Sequence, residues 1–234
     1  MIKARGFLFV GDIHLSSRKP GTRKDEYFGN TVLNKVEQVV DIANKEDLVI
    51  IFEGDIFDTP KETDESLKTR LTRILKKAKH LSFTNVGNHD KSGDKLSDND
   101  TLGMMAEYEY PLKVIRESGP VGIFELNGIK IGLGMTPYGQ EIPKDVTHMF
   151  KDVESVVWIT HHDLACEGHY PGAMETFEIK GCSLVSNGHM HLEKKPIQQV
   201  DTLWINHGSL VRTAKDAAYH APFVTGIIPG EGDF

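Results

Sequence analysis

Short apolar runs alternate with amphipathic stretches along the first third of the chain. Residues 7–10 and 48–52 are continuous apolar runs of strand length, and residues 81–86 form a third strand candidate. Between them, apolar residues recur at helical spacing over residues 28–44 and again over residues 67–78. This alternation of strands and helices predicts a parallel sheet with helices packed on it.

The second half of the chain is rich in short strands. Asn127-Gly128 favours a tight turn and lies between two stretches of strand character, which predicts a hairpin. The strand candidates of this half are residues 122–126, 129–133, 156–160, 183–186, 197–200, 203–206 and 223–228. Parallel β/α units followed by a strand-rich half are typical of two packed sheets with helices outside.

Composition and charge exclude several classes of protein. Of the 234 residues, 39% are hydrophobic and 26% are charged, which is incompatible with intrinsic disorder. No apolar run approaches the roughly 20 residues of a membrane-spanning helix, so no membrane partner is expected. The net charge of −7 argues against general binding to polyanions. Two cysteines cannot build a disulfide framework, which predicts a reducing, cytoplasmic location.

Five short polar motifs follow predicted strands and contain six of the 11 histidines. Because ligands bind beyond the carboxyl ends of parallel strands, we expect the five loops to meet in one pocket. Their Asp, Asn and His side chains offer oxygen and imidazole ligands, which suit Mn²⁺, Fe²⁺, Zn²⁺ or Mg²⁺. The motifs are Asp12-Ile13-His14, Gly54-Asp55-Ile56-Phe57-Asp58, Gly87-Asn88-His89-Asp90, His161-His162 and Gly188-His189-Met190-His191.

In this order, the motifs resemble those of the calcineurin-like metallophosphoesterases, a superfamily of two-metal hydrolases. Within the superfamily the chain is most similar to the nuclease subunit of the SbcD-type DNA repair complex. That narrower similarity rests on Asp12-Ile13-His14-Leu15, on Gly54-Asp55-Ile56-Phe57-Asp58-Thr59, and on a segment in which His207 replaces the usual proline. The last segment is Asn206-His207-Gly208-Ser209-Leu210-Val211-Arg212.

The resemblance implies a fold and a set of metal ligands. The expected fold is the four-layer α/β/β/α metallophosphoesterase sandwich, with residues 1–234 forming a single domain without a cap domain. Asp55 would bridge two divalent ions, for which Mn is preferred and Fe, Zn, Ni or Mg are alternatives. At the fourth motif the family's ligand is the first polar residue after the strand, which favours His161 over His162. The first ion would be held by Asp12, His14, Asp55 and His191, and the second by Asp55, Asn88, His161 and His189.

The resemblance also assigns the proton chemistry. His89 would contact the substrate phosphate and protonate the leaving oxygen as a general acid. Asp58 is the expected carboxylate partner of the His89 imidazole. Asp90 is the competing partner, although a turn residue that binds backbone amides is the more ordinary role for it.

Three functions are compatible with these motifs. The first is a phosphodiesterase or nuclease that acts on DNA, the second a phosphatase or phosphodiesterase that acts on a nucleotide or another small phosphoester. The third is a non-catalytic scaffold of the same fold, which would require lost ligands, whereas every ligand position is filled. About 20 residues follow Arg212, so we expect no docking segment for an ATPase partner. Four basic residues after the first motif are candidates for substrate contact: Arg18, Lys19, Arg23 and Lys24.

Overall fold

The computed structural model describes residues 1–21, 23–108, 110–165, 172–213 and 216–231. Within these ranges the chain forms two β-sheets and three α-helices. The helices are α1 (Phe28–Glu46), α2 (Glu65–Leu75) and α3 (Thr101–Ala106). No described helix combines the length and the apolar character that crossing a membrane requires.

Helices α1 and α2 confirm the amphipathic segments predicted from the sequence. The backbone of α1 ends at Asp47, which adopts a left-handed conformation with φ of 56°. The Asp64 side chain caps α2 by accepting hydrogen bonds from the amides of Ser66 and Leu67. Each helix buries one apolar face against the smaller sheet, as the spacing of its apolar residues predicts.

The smaller sheet contains five strands in the described residues. They are β2 (Gly6–Val10), β3 (Leu48–Phe52), β4 (Ser82–Thr84), β5 (Leu112–Val114) and β12 (Thr225–Ile227). Their order is β12-β2-β3-β4-β5, in which β2 to β5 are parallel and β12 pairs antiparallel with β2 at the edge. Strand β5 and helix α3 were not predicted, and β4 is shorter than the apolar run that predicted it.

The larger sheet contains seven strands in the same parts of the chain. They are β1 (Lys3–Ala4), β6 (Gly119–Leu126), β7 (Ile129–Thr136), β8 (Ser155–Thr160), β9 (Leu184–Asn187), β10 (Lys194–Gln199) and β11 (Thr202–Asn206). Their order is β1-β6-β7-β8-β9-β11-β10, with a parallel centre of β7-β8-β9-β11. The predicted hairpin joins β6 to β7 through Asn127 and Gly128, both with positive φ.

The two sheets pack face to face around an aromatic core. Because side chains alternate along a strand, Phe7 and Phe9 of β2 face the larger sheet while Leu8 and Val10 face the helices. The ring of Phe124 from β6 lies 5.1 Å from the ring of Phe7 in an edge-to-face contact. Both faces of β2 are buried, which explains why the strand is apolar throughout.

The outer face of the larger sheet differs from the expected helical layer. Trp158 and Trp204 on this face are covered by side chains such as Val146, Phe150 and Ile179 from irregular segments. Among the described residues, no α-helix lies on this face. Two prolines, at positions 137 and 143, interrupt the covering segment, and proline is unfavourable in a helix interior.

The carboxyl ends of six strands meet at one edge of the sandwich, namely those of β2, β3, β4, β8, β9 and β11. Hydrogen bonds join the loops that follow them, including one from the His14 amide to the Asp55 carbonyl, 3.0 Å, and one from the Leu210 amide to the Asp12 carbonyl, 3.0 Å. A bridge between Leu15 and Phe57 continues the pairing beyond β2 and β3. The fold thus brings together polar motifs that are far apart in sequence.

Candidate metal centre

A first cluster of potential metal ligands consists of Asp12, His14 and His191. One ligand atom from each residue lies within 4.8 Å of the other two. The Nε2 atoms of His14 and His191 are 2.9 Å apart, and Asp12 Oδ2 lies 3.4 Å from His191 Nε2. Two imidazole nitrogens and a carboxylate oxygen that point at one another form a common arrangement for a divalent cation.

A second cluster consists of Asp55, His161 and His189, whose ligand atoms also lie within 4.8 Å of one another. His161 Nε2 is 3.2 Å from Asp55 Oδ2. The amide oxygen of Asn88 lies 2.9 Å from His189 Nδ1, so the fourth predicted ligand of this site is adjacent. The structure therefore brings all seven predicted ligands to the same edge of the sandwich.

Asp55 lies between the two clusters. Its Oδ2 atom is 3.2 Å from His161 Nε2 and 3.9 Å from His14 Nε2, one nitrogen from each cluster. Its other oxygen, Oδ1, accepts a hydrogen bond of 2.8 Å from the backbone amide of His89. This amide fixes the carboxylate and leaves Oδ2 directed toward both clusters.

The donor set fits bound metal ions. Asp12 Oδ2 and His161 Nε2 are completely buried, and the described residues give neither atom a hydrogen-bond partner. Buried polar atoms are nearly always satisfied in folded proteins, so such atoms that converge with others point to a missing ligand. Carboxylate and imidazole donors without thiolate match borderline and hard divalent ions.

The electrostatics of the centre favour a cation. Burial raises the pKa of Asp12, but His161, His191 and His14 outweigh it and hold the pKa well below its usual range. Burial lowers the pKa of His161, but Asp55 and Asp12 outweigh it and raise the pKa to about 10. The buried carboxylates of Asp12 and Asp55 thus favour positive charge on the neighbouring histidines. Metal ions are able to supply that positive charge in place of protons.

Three of the proposed ligands have a left-handed backbone. The φ angles are 43° for His14, 49° for Asp55 and 71° for His189. This region is disfavoured for residues other than glycine and is often occupied at functional sites. Gly87 shows a related constraint, because a Cβ atom there would lie 2.0 Å from Asp55 Oδ1. The loops are therefore shaped around the ligand atoms.

The position of His89 differs in one respect from the sequence prediction. Its Nδ1 donates a 2.7 Å hydrogen bond to the backbone carbonyl of Asp58, whereas the Asp58 carboxylate lies 3.4 Å from Nδ1 of His14. The expected carboxylate–imidazole hydrogen bond is thus replaced by a carbonyl–imidazole hydrogen bond, while a carboxylate oxygen of Asp58 stays within 4.8 Å of a ring nitrogen of His89. The His89 and His14 rings are 4.8 Å apart, which places His89 at the rim of the first cluster.

Asp90 has the structural role that its turn position suggests. Its side chain is fully buried and accepts hydrogen bonds from the amides of Phe57 and Gly87, 3.1 Å and 3.0 Å. Burial, with the nearby Asp55 carboxylate, raises the pKa of Asp90 to about 7. Asp90 therefore joins the second motif to the third.

Histidines beyond the clusters have separate contacts. The Nε2 of His162 donates to the Gln140 carbonyl, 3.0 Å, and His162 belongs to neither cluster of potential metal ligands in the described residues. His207 is buried, with Nε2 3.5 Å from a carboxylate oxygen of Glu53. The Nε2 of His220 donates to the Ser209 carbonyl, 2.9 Å. These contacts favour structural roles for His162 and His220, whereas neither ring nitrogen of the buried His207 has a hydrogen-bond partner among the described residues.

Two acidic residues near the centre were not singled out from the sequence. Glu53 is buried, its side chain accepts a hydrogen bond from Ser186 Oγ, and its backbone carbonyl lies 2.9 Å from His161 Nδ1. Asp163 Oδ1 lies 2.9 Å from His189 Nε2. The sequence offered one signal for each residue. Glu53 ends an apolar run, and Asp163 lies two positions after the proposed ligand His161.

Solved structures of the same fold have low sequence identity to this chain. A hypothetical protein from Thermus thermophilus gives a TM-score of 0.52 at 13% identity, with 92% of this chain and 78% of that chain covered. The 5′-nucleotidase precursor from the same organism gives 0.53 at 11% identity, with 87% and 48% covered. Haemophilus influenzae NAD nucleotidase gives 0.50 at 11% identity, with 87% and 45% covered. The chain thus spans less than half of each nucleotidase.

These likenesses confirm the predicted metallophosphoesterase fold. No curated protein matches the chain. A model of the family described as calcineurin-like phosphoesterase matches residues 6–193, which include every motif of both clusters. The chain therefore belongs to the calcineurin-like phosphoesterase family and is a metal-dependent phosphoesterase.

Proposed function

We propose that the centre holds two divalent ions and hydrolyses the phosphoester bonds of nucleotides. The observation that carries the proposal is the position of Asp55, whose Oδ2 faces one nitrogen of each cluster. A carboxylate oxygen in this position suits a bridge between two ions. The first ion would be held by Asp12, His14, Asp55 and His191, and the second by Asp55, Asn88, His161 and His189.

The protein side chains and the ions have different tasks. When bound, the two ions supply Lewis-acid chemistry that polarises the phosphoester and stabilises the charge that develops on its oxygens. The half-buried ligands His189 and His191 lie on the accessible side, with side chains 19% and 24% exposed, whereas Asp12 and Asp55 are buried. A substrate phosphate would approach from the histidine side.

His89 is the proposed general acid. Its Nδ1–H is bound by the Asp58 carbonyl, so Nε2 is the atom that would hold the transferable proton. The His89 backbone amide donates to Asp55 Oδ1, which ties the residue to the carboxylate that would bridge the two ions. Protonation of a leaving alkoxide by a positioned side chain typically contributes about 10²–10⁴-fold to the rate.

Small nucleotides are the substrates that these observations favour most. Two of the structural neighbours are named as a 5′-nucleotidase precursor and an NAD nucleotidase. The net charge of −7 opposes the binding of a long polyanion. Arg23, one of the four basic residues predicted to contact substrate, is paired with Asp25 and donates to the Arg212 carbonyl.

DNA hydrolysis is the second candidate. It is favoured by the similarity of the second motif and of residues 206–212 to the SbcD-type nuclease subunit. Arg18, Lys19 and Lys24 are basic residues of the loop that follows the first motif, where an extended substrate would pass. DNA nevertheless ranks behind nucleotides, because basic side chains alone do not select a substrate.

A single activity panel tests the proposal. With Mn²⁺ present, a nucleoside 5′-monophosphate, a dinucleotide, single-stranded DNA and duplex DNA are compared at several salt concentrations, with Asp55→Asn as the inactive control. We expect kcat/KM to be highest for a small nucleotide and to depend weakly on salt. Preferred hydrolysis of DNA with a steep salt dependence would support the nuclease instead. No hydrolysis of any nucleotide or DNA would refute the proposal.

A further inference from the structure

The imidazole of His189 is contacted at both ring nitrogens. Nδ1 lies 2.9 Å from Asn88 Oδ1, on the side of the proposed second ion. Nε2 lies 2.9 Å from Asp163 Oδ1, on the opposite side of the ring. A neutral imidazole has one protonated and one unprotonated nitrogen, so the partner of one nitrogen determines what the other is able to bind.

The local chain explains why Asp163 reaches this position. It lies two residues after His161 in the segment that directly follows β8, and the side chains of both residues contact the His189 ring. His162, between them, is turned to the Gln140 carbonyl. The Asp163 carbonyl accepts a 2.9 Å hydrogen bond from the Met174 amide, which anchors the backbone that carries the carboxylate.

The remaining surroundings fix the plane of the His189 ring without selecting its tautomer. The ring packs 5.2 Å from the His161 ring and 5.3 Å from the Tyr138 ring. The His189 backbone amide donates to Asp12 Oδ1, 3.1 Å. Ring packing and a backbone hydrogen bond hold the residue in place, but neither distinguishes a proton on Nδ1 from one on Nε2. The two side-chain acceptors do: the charged Asp163 carboxylate favours a proton on Nε2 more strongly than the neutral amide oxygen of Asn88 favours one on Nδ1.

We infer that Asp163 is a positioning residue for His189: it accepts a hydrogen bond from Nε2–H and leaves Nδ1 as the ligand atom for the second ion. The inference rests on the proposed pair of ions. A carboxylate that binds the far nitrogen of a metal-ligating histidine orients the ring and raises its basicity, and its loss typically weakens metal binding by about 10–100-fold. Asp163 itself touches neither metal ion nor substrate in this role.

The first readout needs no metal. In the apo protein, the ring nitrogens of His189 are assigned by long-range ¹H–¹⁵N NMR, with His189→Gln used to identify the resonances. We expect the proton mainly on Nε2 in the wild type and a shift of the proton toward Nδ1, which faces Asn88 Oδ1, in Asp163→Ala. Asp163→Asn has the same shape but offers both an acceptor oxygen and an NH₂ donor, so it should favour the wild-type tautomer less strongly than the carboxylate does. A merely structural role would leave the tautomer of Asp163→Ala unchanged.

The second readout is the affinity for Mn²⁺, measured by titration of the same apo proteins. We expect Asp163→Ala to bind one ion like the wild type and the other about 10–100-fold more weakly, with Asp163→Asn between them. Asp201→Asn, an exposed substitution in the turn between β10 and β11, is the matched control and should bind both ions normally. Should Asp163→Ala fail to fold, a weaker second site in the isosteric Asn variant still supports the inference.

Failure of the inference is separable from failure of the proposed function. A wild type that binds two ions, together with Asp163→Ala and Asp163→Asn that bind both equally tightly, overturns only the role of Asp163. A wild type that binds fewer than two ions overturns the proposed metal pair and this inference with it. An unchanged His189 tautomer in Asp163→Ala also overturns the inference, whatever the substrate proves to be.

Discussion

The His89 imidazole is bound to the main chain of Asp58 rather than to its side chain. Nδ1 of His89 and the Asp58 carbonyl oxygen are 2.7 Å apart. A carbonyl is present whatever side chain residue 58 carries, so a substitution there does not remove the contact. The carboxylate instead lies beside His14, which is a proposed ligand of the first ion.

Asp58→Asn should therefore leave the general acid intact. The rates on a dinucleotide and on a nitrophenyl phosphodiester should fall by the same factor, because any loss arises from the first metal site through His14. The ratio of the two rates, compared with that of the wild type, is the measurement. A selective loss on the dinucleotide would show that the carboxylate itself assists His89.

His89→Gln should show the opposite behaviour. A sugar alkoxide is a poor leaving group and needs a proton in the transition state, whereas a nitrophenolate hardly needs one. We expect both ions to be retained, with a loss of about 10²–10⁴ in kcat on the dinucleotide and a much smaller loss on the nitrophenyl diester. Equal losses on both substrates would assign His89 to phosphate binding.

The sequence predicted the grouping of the seven proposed ligands better than it predicted their surroundings. All seven lie in short motifs that follow strands, so the order of strands was enough to group them. The direction of the Asp58 carboxylate depends on His14, which belongs to another loop. Glu53 looked like the polar end of an apolar run, and nothing local indicated its contact with Ser186.

The elements that were missed have a similar explanation. Strand β1 has two residues and β5 has three, and pairing with a distant strand defines them rather than a local pattern. Strand β10 was predicted at residues 197–200 but begins earlier, because its first residues are polar and include Pro196, features that are typical of the edge position it occupies. The cytoplasmic location and the SbcD-type similarity stay predictions.

Asp55→Asn should be the most damaging change of a single ligand. It is the carboxylate whose Oδ2 faces both clusters, so its replacement should weaken the binding of both ions. His14→Ala should mainly empty the first site, because His14 belongs to the first cluster. Metal content after gel filtration distinguishes the two variants. Two tightly held ions in Asp55→Asn would contradict the bridging role.

Removal of metal should abolish hydrolysis, and Mn²⁺ should restore it better than Mg²⁺. The proposed ligands include four imidazoles, which favour borderline ions over a hard ion that prefers oxygen. The measurement is the initial rate after dialysis against a chelator and addition of each ion at equal free concentration. Full activity that persists in excess chelator would count against a metal-dependent reaction.

Asp90→Asn should affect stability rather than proton transfer. Each carboxylate oxygen of Asp90 accepts one backbone amide, from Phe57 or from Gly87. An asparagine side chain has one acceptor oxygen, so its NH₂ group would face a buried amide N–H that loses its partner. Leaving such a donor unsatisfied costs about 1–3 kcal/mol in the free energy of unfolding. Urea denaturation measures this loss, with the exposed Asp201→Asn as a control that should change stability by less than about 0.5 kcal/mol.

The kinetics of Asp90→Asn separate this structural role from a part in proton transfer. The ratio of rates on the dinucleotide and the nitrophenyl diester should equal that of the wild type. The reason is that the described hydrogen bonds of Asp90 do not include the His89 ring, whose Nδ1 is bound by the Asp58 carbonyl. A stable Asp90→Asn variant that loses rate only on the dinucleotide would instead make Asp90 the partner of the general acid.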